Sequence, residues 1–323
     1  MDWTASAAGV TSEGGSGGTV SAITPLVERR RRAVARPRRG RTAFVLSGGA
    51  SLAALQAGML RALYELGVAP DMIVATSAGA INAAFISSRP QTVPTARELA
   101  RIWRGLKRDD VFPVSPWAVA GGLLGRRDHL VPAEALRRLL ERHMQFRDLA
   151  DAPIPLHVVA FDLDAHAEVL LSEGSALDAV AGSAAVPGVF PPVRLGGRRL
   201  IDGGVVNNTP ISHAVALGAQ RIYVLPTVDP SFAPASRARS ALAAAIDGLG
   251  LLLRNRLEAD IARFASEVEL IVLPAPNPLD VMPTDFGHAD RLLRDGLNAA
   301  RRRLAQPIPA LEDAPALQRR AAQ

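Results

Sequence analysis

Three short segments carry groups able to do covalent chemistry. In Ala75-Thr76-Ser77-Ala78-Gly79 a serine follows the apolar run Met72–Thr76 and precedes the helix-forming run Ala78–Ser87. A serine between a buried strand and a helix can act as a nucleophile. The turn there is tight, so its neighbours Thr76, Ala78 and Gly79 must be compact, and the hydroxyl is held up at the end of the strand. The helix N-terminus behind it favours a developing negative charge. The usual elbow reads G-x-S-x-G; here Ala75 stands at the first glycine position. The same serine would serve equally as a plain helix N-cap.

The second segment is Ser47-Gly48-Gly49-Ala50-Ser51, again after an apolar run. Consecutive small residues leave backbone N–H groups approachable, so Gly48, Gly49 and Ala50 read as an anion cradle, or as a packing turn. As an oxyanion hole it would supply donors worth ~10²–10³ in rate each. A dinucleotide fingerprint is a poor match, since the spacing of G-x-G-x-x-G is absent. The third segment, Asp202-Gly203-Gly204, is either an ordinary Asx turn or a carboxylate base with a supporting turn at Gly203 and Gly204.

The elements around these segments alternate. Thr42–Ser47 and Met72–Thr76 read as buried strands, each followed by a helix, Ala53–Leu66 and Ala78–Ser87. Further strands are expected at Leu156–Leu163, Ala167–Leu171, Arg221–Pro226 and Glu269–Pro274. Helices are expected at Thr95–Arg104, Pro132–Met144, Leu177–Ala184, Ile211–Leu217 and Ala241–Ala265. Strand-helix alternation of this kind implies a parallel sheet covered by helices.

Taken in order, four blocks resemble the patatin-like phospholipase family. They are Ser47-Gly48-Gly49 with Gln56-Ala57-Gly58, Thr76-Ser77-Ala78-Gly79, Ser183 through Pro192, and Asp202-Gly203-Gly204 running on to Pro210. The resemblance spans about 42 to 275. It implies an α/β fold, a three-layer α/β/α hydrolase with a mainly parallel central sheet. It also implies a Ser-Asp dyad in which Ser77 is the nucleophile and Asp202 takes its proton. The N–H groups of Gly48, Gly49 and Ala50 form the oxyanion hole by the same analogy, and no metal or cofactor is required. The implied activity is cleavage of fatty acyl esters through an acyl-enzyme, of lipase, phospholipase A or esterase type. A catalytically degenerate lipid-binding scaffold and an acyltransferase are the alternatives. The family's glycine loop usually continues G-G-G-x-R-G, whereas Leu52 and Ala53 stand here at the arginine and last glycine. That departure bears on the phospholipid head group more than on hydrolysis.

Composition narrows the field. The chain has no cysteine, which excludes thiol nucleophiles, Cys-based zinc sites and disulfides. Of six histidines, only His213 and His288 follow Asp202 in the order a Ser-Asp-His triad would need; the first reads as a helix-surface residue and the second as a loop residue. Asp162-Leu163-Asp164 reads as a solvated strand end, with a metal pair as the alternative. The net charge of +6 is concentrated in Arg29–Arg41. That segment reads either as a solvated tail or as a peripheral contact with anionic membrane. Nucleic acid is not an expected partner, and the oligomeric state is open.

Residues 1–40 are expected to be a disordered Gly/Ser- and Arg-rich tail, 41–304 the catalytic domain and 305–323 a flexible tail. The segment Trp117–Leu124 reads as a lid, a lipid-facing patch or a core helix. The expected setting is cytoplasmic or peripheral at a membrane, since neither a signal peptide nor a membrane-spanning run is legible.

Overall fold

A computed structural model describes residues 40–113, 129–228, 241–276 and 281–307. The basic segment up to residue 39, Trp117–Leu124 and the chain beyond 307 lie outside the described residues.

The sequence runs of branched and aliphatic residues form the sheet. Strands β1 (Thr42–Leu46), β2 (Met72–Thr76), β3 (Leu156–Asp162), β4 (Ala167–Leu171), β5 (Val193–Leu195), β6 (Arg198–Asp202), β7 (Arg221–Leu225) and β8 (Glu269–Val272) join into one sheet. Pairing is parallel for β3-β2-β1-β7-β8 and antiparallel for β3-β4, β3-β6 and β5-β6. β1 and β2 are buried almost throughout, which is why they read as unbroken apolar runs.

Side-chain alternation divides the core in two. Phe44, Leu46, Ile73 and Ala75 point to one face, Ala43, Val45, Met72 and Val74 to the other. The first face is covered by α1 (Ala54–Glu65), α2 (Ala78–Ser87), α3 (Val93–Gly105), α5 (Glu134–His143), α6 (Ala176–Ser183) and α10 (Ala289–Leu304). The second is covered by α8 (Ile211–Ala216) and α9 (Ala241–Phe264). This is the expected three-layer α/β/α architecture with a mainly parallel central sheet. Two short helices, α4 (Arg108–Val111) and α7 (Gly204–Asn207), lie in the connections, and a 3₁₀ turn at Ala50–Ala53 precedes α1. No described helix is long and apolar enough to cross a membrane.

The register around β3 sets up the site. Val158 pairs with both Ala75 of β2 and Leu171 of β4, so β2 and β4 occupy opposite edges of β3. Ala160 pairs with both Val169 of β4 and Asp202 of β6. β6 therefore lies on the same edge as β2 and runs toward it. β2 ends with Thr76 opposite Val159, and β6 ends with Asp202 opposite the next residue, Ala160. Two strands meeting head-on along one edge bring residues 77 and 202 together.

Helix α10 was not anticipated from the sequence, nor was the β5-β6 hairpin. The hairpin turns through Gly196 (φ 57°) and Gly197 (φ 81°), the two positive-φ positions of a type I′ turn. Asp162 also differs from expectation. It is 3% exposed rather than solvated, and its Oδ1 accepts the Asp164 and Ala165 N–H groups (2.9 and 3.3 Å), capping the β3-β4 turn. Among the described residues no three acidic or imidazole side chains converge to hold a metal ion.

Candidate active site

Ser77 sits at the end of β2 with φ 56° and ψ −130°, a strained conformation for a residue with a side chain. Its neighbours hold it there. Its N–H donates to Ser183 Oγ (2.8 Å), and Ser183 Oγ donates to the Val159 carbonyl (2.5 Å). Its carbonyl accepts the Ala80 and Ile81 N–H groups (2.8 and 3.3 Å), starting α2. Gly79 must be small, because a Cβ there would fall 2.5 Å from the Leu46 carbonyl oxygen and 2.6 Å from that of Ser47. Thr76 Oγ1 donates to the Asn207 carbonyl (2.9 Å), tying the elbow to the short helix α7 after β6.

Ser77 Oγ donates to Asp202 Oδ2 at 2.5 Å, and Asp202 Oδ1 accepts the Gly204 N–H at 2.7 Å. Both side chains are nearly out of solvent, at 8% and 5% exposed. Burial pushes the Asp202 carboxyl up from 3.8 to about 6, against the lowering effect of its two hydrogen bonds. A hydroxyl held against a desolvated carboxylate with raised proton affinity can transfer a proton across a single short contact. Gly203 is the turn that follows, and Gly204 opens α7.

The glycine loop rises beside them from β1. Gly48 lies directly against the serine; a Cβ there would sit 2.7 Å from Ser77 Cβ and 2.5 Å from Asn208 Oδ1. Its N–H, expected to face an oxyanion, donates instead to the Asn208 carbonyl (3.2 Å). That bond, with Asn208 Nδ2 (3.3 Å) and Thr227 Oγ1 donating to the Gly48 carbonyl, pins the loop between two others. The N–H groups of Gly49 and Ala50 have no acceptor among the described residues. Ala50 has φ 48°, in the left-handed region where glycine is at ease, so the third glycine of the usual pattern would relieve strain here. Leu52 is buried in the core at 5% exposed and does not line the cavity beside Ser77.

Beneath the loop lies a chain of buried amides that residue-type reasoning did not single out. Gln56 Nε2 donates to the carbonyls of Ser47 (2.8 Å) and Leu225 (2.9 Å). Gln56 Oε1 accepts from Asn82 Nδ2 (2.8 Å), and Asn82 Oδ1 accepts from Trp103 Nε1 (2.9 Å). Ser183, Asn208 and Gln56 stood inside the recognised blocks without an assigned role; Thr227 and Asn82 carried no sequence signal.

The two histidines that follow Asp202 in the chain bond elsewhere. His213 Nε2 pairs with Glu168 Oε1 at 2.5 Å, and the His213 bond holds the Glu168 carboxyl below its usual range against the cost of burial. His288 Nε2 lies 3.3 Å from Asp285.

A pocket partly open to solvent begins at Ala50, Ser77 and Ala78. Its remaining walls are almost wholly apolar, among them Ile81, Phe85, Ile102, Phe112, Leu140 and Phe190. Such a space favours hydrocarbon over water.

The described geometry can be set beside known proteins. The chain is 29% identical over 191 residues to human patatin-like phospholipase domain-containing protein 6, covering 57% of this chain and 13% of that protein. It is 25% identical over 189 residues to lysophospholipase NTE1 of Mycosarcoma maydis, covering 56% of this chain and 9% of that one. An uncharacterized NTE family protein of Mycobacterium tuberculosis is 29% identical over 299 residues, covering 85% of this chain and 48% of its own. The chain thus spans less than half the length of these relatives. Among solved structures, VipD from Legionella pneumophila superposes with a TM-score of 0.44 at 15% identity, over 82% of this chain and 66% of that one. The patatin-like phospholipase family profile matches residues 44–215, more than half of the chain, and takes in both the glycine loop and the Ser77–Asp202 pair. By that match the chain belongs to the patatin-like phospholipase family.

Proposed function

We propose that this chain is a serine acyl hydrolase that cleaves fatty acyl esters of lipids through a covalent acyl-enzyme. The observation that carries the reading is the 2.5 Å contact of Ser77 Oγ with Asp202 at the head of an apolar cavity. Asp202 Oδ2 takes the hydroxyl proton as Oγ attacks the ester carbonyl, and the alkoxide of the tetrahedral intermediate develops opposite the loop. The N–H groups of Gly49 and Ala50 are the donors left to stabilise it, with Gly48 bracing the loop through Asn208. The leaving alcohol recovers the proton from Asp202. Water then repeats the cycle on the acyl-enzyme, with Asp202 again as base. Elbow residues Thr76, Ala78 and Gly79, the turn at Gly203 and the start of α7 at Gly204 hold the two side chains in place. Family membership supports lipid as the substrate, and the names of two relatives are those of a phospholipase-domain protein and a lysophospholipase. The division into a tail up to 40, a catalytic unit and a tail from 305 belongs to the same proposal, as does membrane contact through Arg29–Arg41.

The test is hydrolysis of p-nitrophenyl acyl esters together with labelling by a fluorophosphonate. Wild-type protein should hydrolyse the esters and take the label on Ser77; Ser77→Ala should do neither. A wild-type serine inert to the probe would sink the hydrolase in favour of a lipid-binding scaffold. Acyl transfer to an added alcohol in preference to water would make it a transferase.

A further inference from the structure

One wall of the cavity is helix α2, which gives it a length. From α2 it is lined by Ser77, Ala78, Ile81, Asn82 and Phe85. These positions fall on a single helical face, so the cavity follows the helix axis away from Ser77. Eight residues at 1.5 Å each place Phe85 about 12 Å beyond the serine.

Behind Phe85, just past the end of α2, comes a charged group. The Arg89 guanidinium lies 3.8 Å from the Phe85 ring centroid. It is fixed there by donating to the carbonyls of Phe85 (2.9 Å) and His143 (3.0 Å), with Glu98 at 3.7 Å. The His143 ring meets Phe85 edge-on, with centroids 6.4 Å apart. The ring thus contacts both a cation and an imidazole, and a hydrocarbon chain that displaced it would meet these polar groups. Arg89 also stacks the ring in a favourable cation–π geometry that resists its swinging aside.

We propose that Phe85, backed by Arg89 and His143, is the floor of the acyl site and sets the preferred acyl chain at about ten carbons. An extended backbone advances ~3.3–3.6 Å over three bonds, or ~1.2 Å per bond, so about 12 Å accommodates about ten bonds from the Ser77 ester. The substrates of choice are medium-chain esters. This rests on the hydrolase reading above and goes beyond it, since Ile81 and Phe85 become residues that determine specificity.

The experiment is the kcat/KM profile of the full chain across p-nitrophenyl esters from C4 to C16. For the wild type, kcat/KM should climb about fourfold per added methylene while the chain is being buried, then level or fall past about C10. Phe85→Ala opens the floor and should move the optimum toward C12–C14. Ile81→Trp, one helical turn from Ser77 and about 6 Å along the cavity, should move it toward C4–C6. Each optimum is a ratio within one protein preparation, so a partly folded variant still reports it. A wild-type optimum at C14–C16, or variants that both keep the wild-type optimum, would overturn the proposal while a dead Ser77→Ala left the hydrolase intact. Hydrolysis that survived in Ser77→Ala would remove the hydrolase reading itself, and a protein inert to the whole series would remove both.

Discussion

Asp202 couples pH to activity and to stability with opposite signs. Its carboxyl is displaced from 3.8 to about 6, chiefly because burial penalises the charged form. At ~1.36 kcal/mol per pH unit that displacement corresponds to about 3 kcal/mol. Between about pH 4 and 6 the folded protein holds a proton that the unfolded chain has already released. Stability from this group is therefore fully present below about pH 4 and is lost as pH rises through 6. Activity runs the other way, because a base must be ionised before it can accept a proton. The acid limb of kcat/KM should have its midpoint near pH 6 and reach a plateau above 7. The site thus operates in the form that costs it stability, as expected where function and folding compete for one side chain.

Asp202→Asn separates the two effects. It keeps the shape and removes the charge, so ester hydrolysis measured by titration should fall about 10²–10⁴-fold. Thermal unfolding at pH 8 should show the variant more stable than wild type by up to about 3 kcal/mol, which is several degrees for a chain of this size. The advantage should shrink as pH is lowered and vanish below about pH 4, where wild-type Asp202 is protonated in both states. A flat wild-type kcat/KM from pH 4.5 to 8 would refute the raised carboxyl. A variant less stable than wild type at pH 8 would refute the claim that burial costs the charged form more than its two hydrogen bonds return.

The glycine loop yields two further expectations of opposite sign. Gly48→Ala places a Cβ 2.7 Å from Ser77 Cβ and 2.5 Å from Asn208 Oδ1. It should cost about 1–3 kcal/mol in thermal unfolding, and displacing the serine should lower kcat by about 10²; unchanged steady-state kinetics would show that the loop does not brace the serine. Ala50→Gly relieves a left-handed alanine at φ 48°, a gain of about 1–2 kcal/mol offset by about 0.5–1 from the freer unfolded chain. Unfolding should therefore show a variant as stable as wild type or about 1 kcal/mol more so, still active; a loss of more than ~1 kcal/mol would refute the strain.

What the sequence disclosed, and what it hid, follows from the range of the interactions involved. The nucleophile elbow is local: a buried parallel strand must be apolar on both faces, and the turn after it must be small, so Met72–Gly79 reads almost directly. Most expected elements lie within two residues of the observed ones, including Leu156–Asp162, Ala176–Ser183 and Ala241–Phe264. Asp202 is not local. Nothing in Asp-Gly-Gly separates a base from a turn, and its meeting with Ser77 depends on β6 entering the edge of β3 that β2 vacates, a register set by side chains far from either residue. Only the ordered resemblance of several blocks could carry that pairing. Helix α10, by contrast, is locally encoded. Its buried face uses Ala289, Gly296, Ala299 and Ala300 beside Leu292 and Leu293, because it packs so closely on α1 that a Cβ on Gly296 would fall 2.3 Å from the Leu55 carbonyl oxygen. Its buried residues nonetheless recur at helical spacing, Ala289, Leu292, Leu293, Gly296 and Ala300, so the stripe itself is legible in the sequence. The same economy explains the expectation about Gly48: small residues advertise a close approach, but not whether the partner is a substrate or, as at Asn208, another loop of the protein.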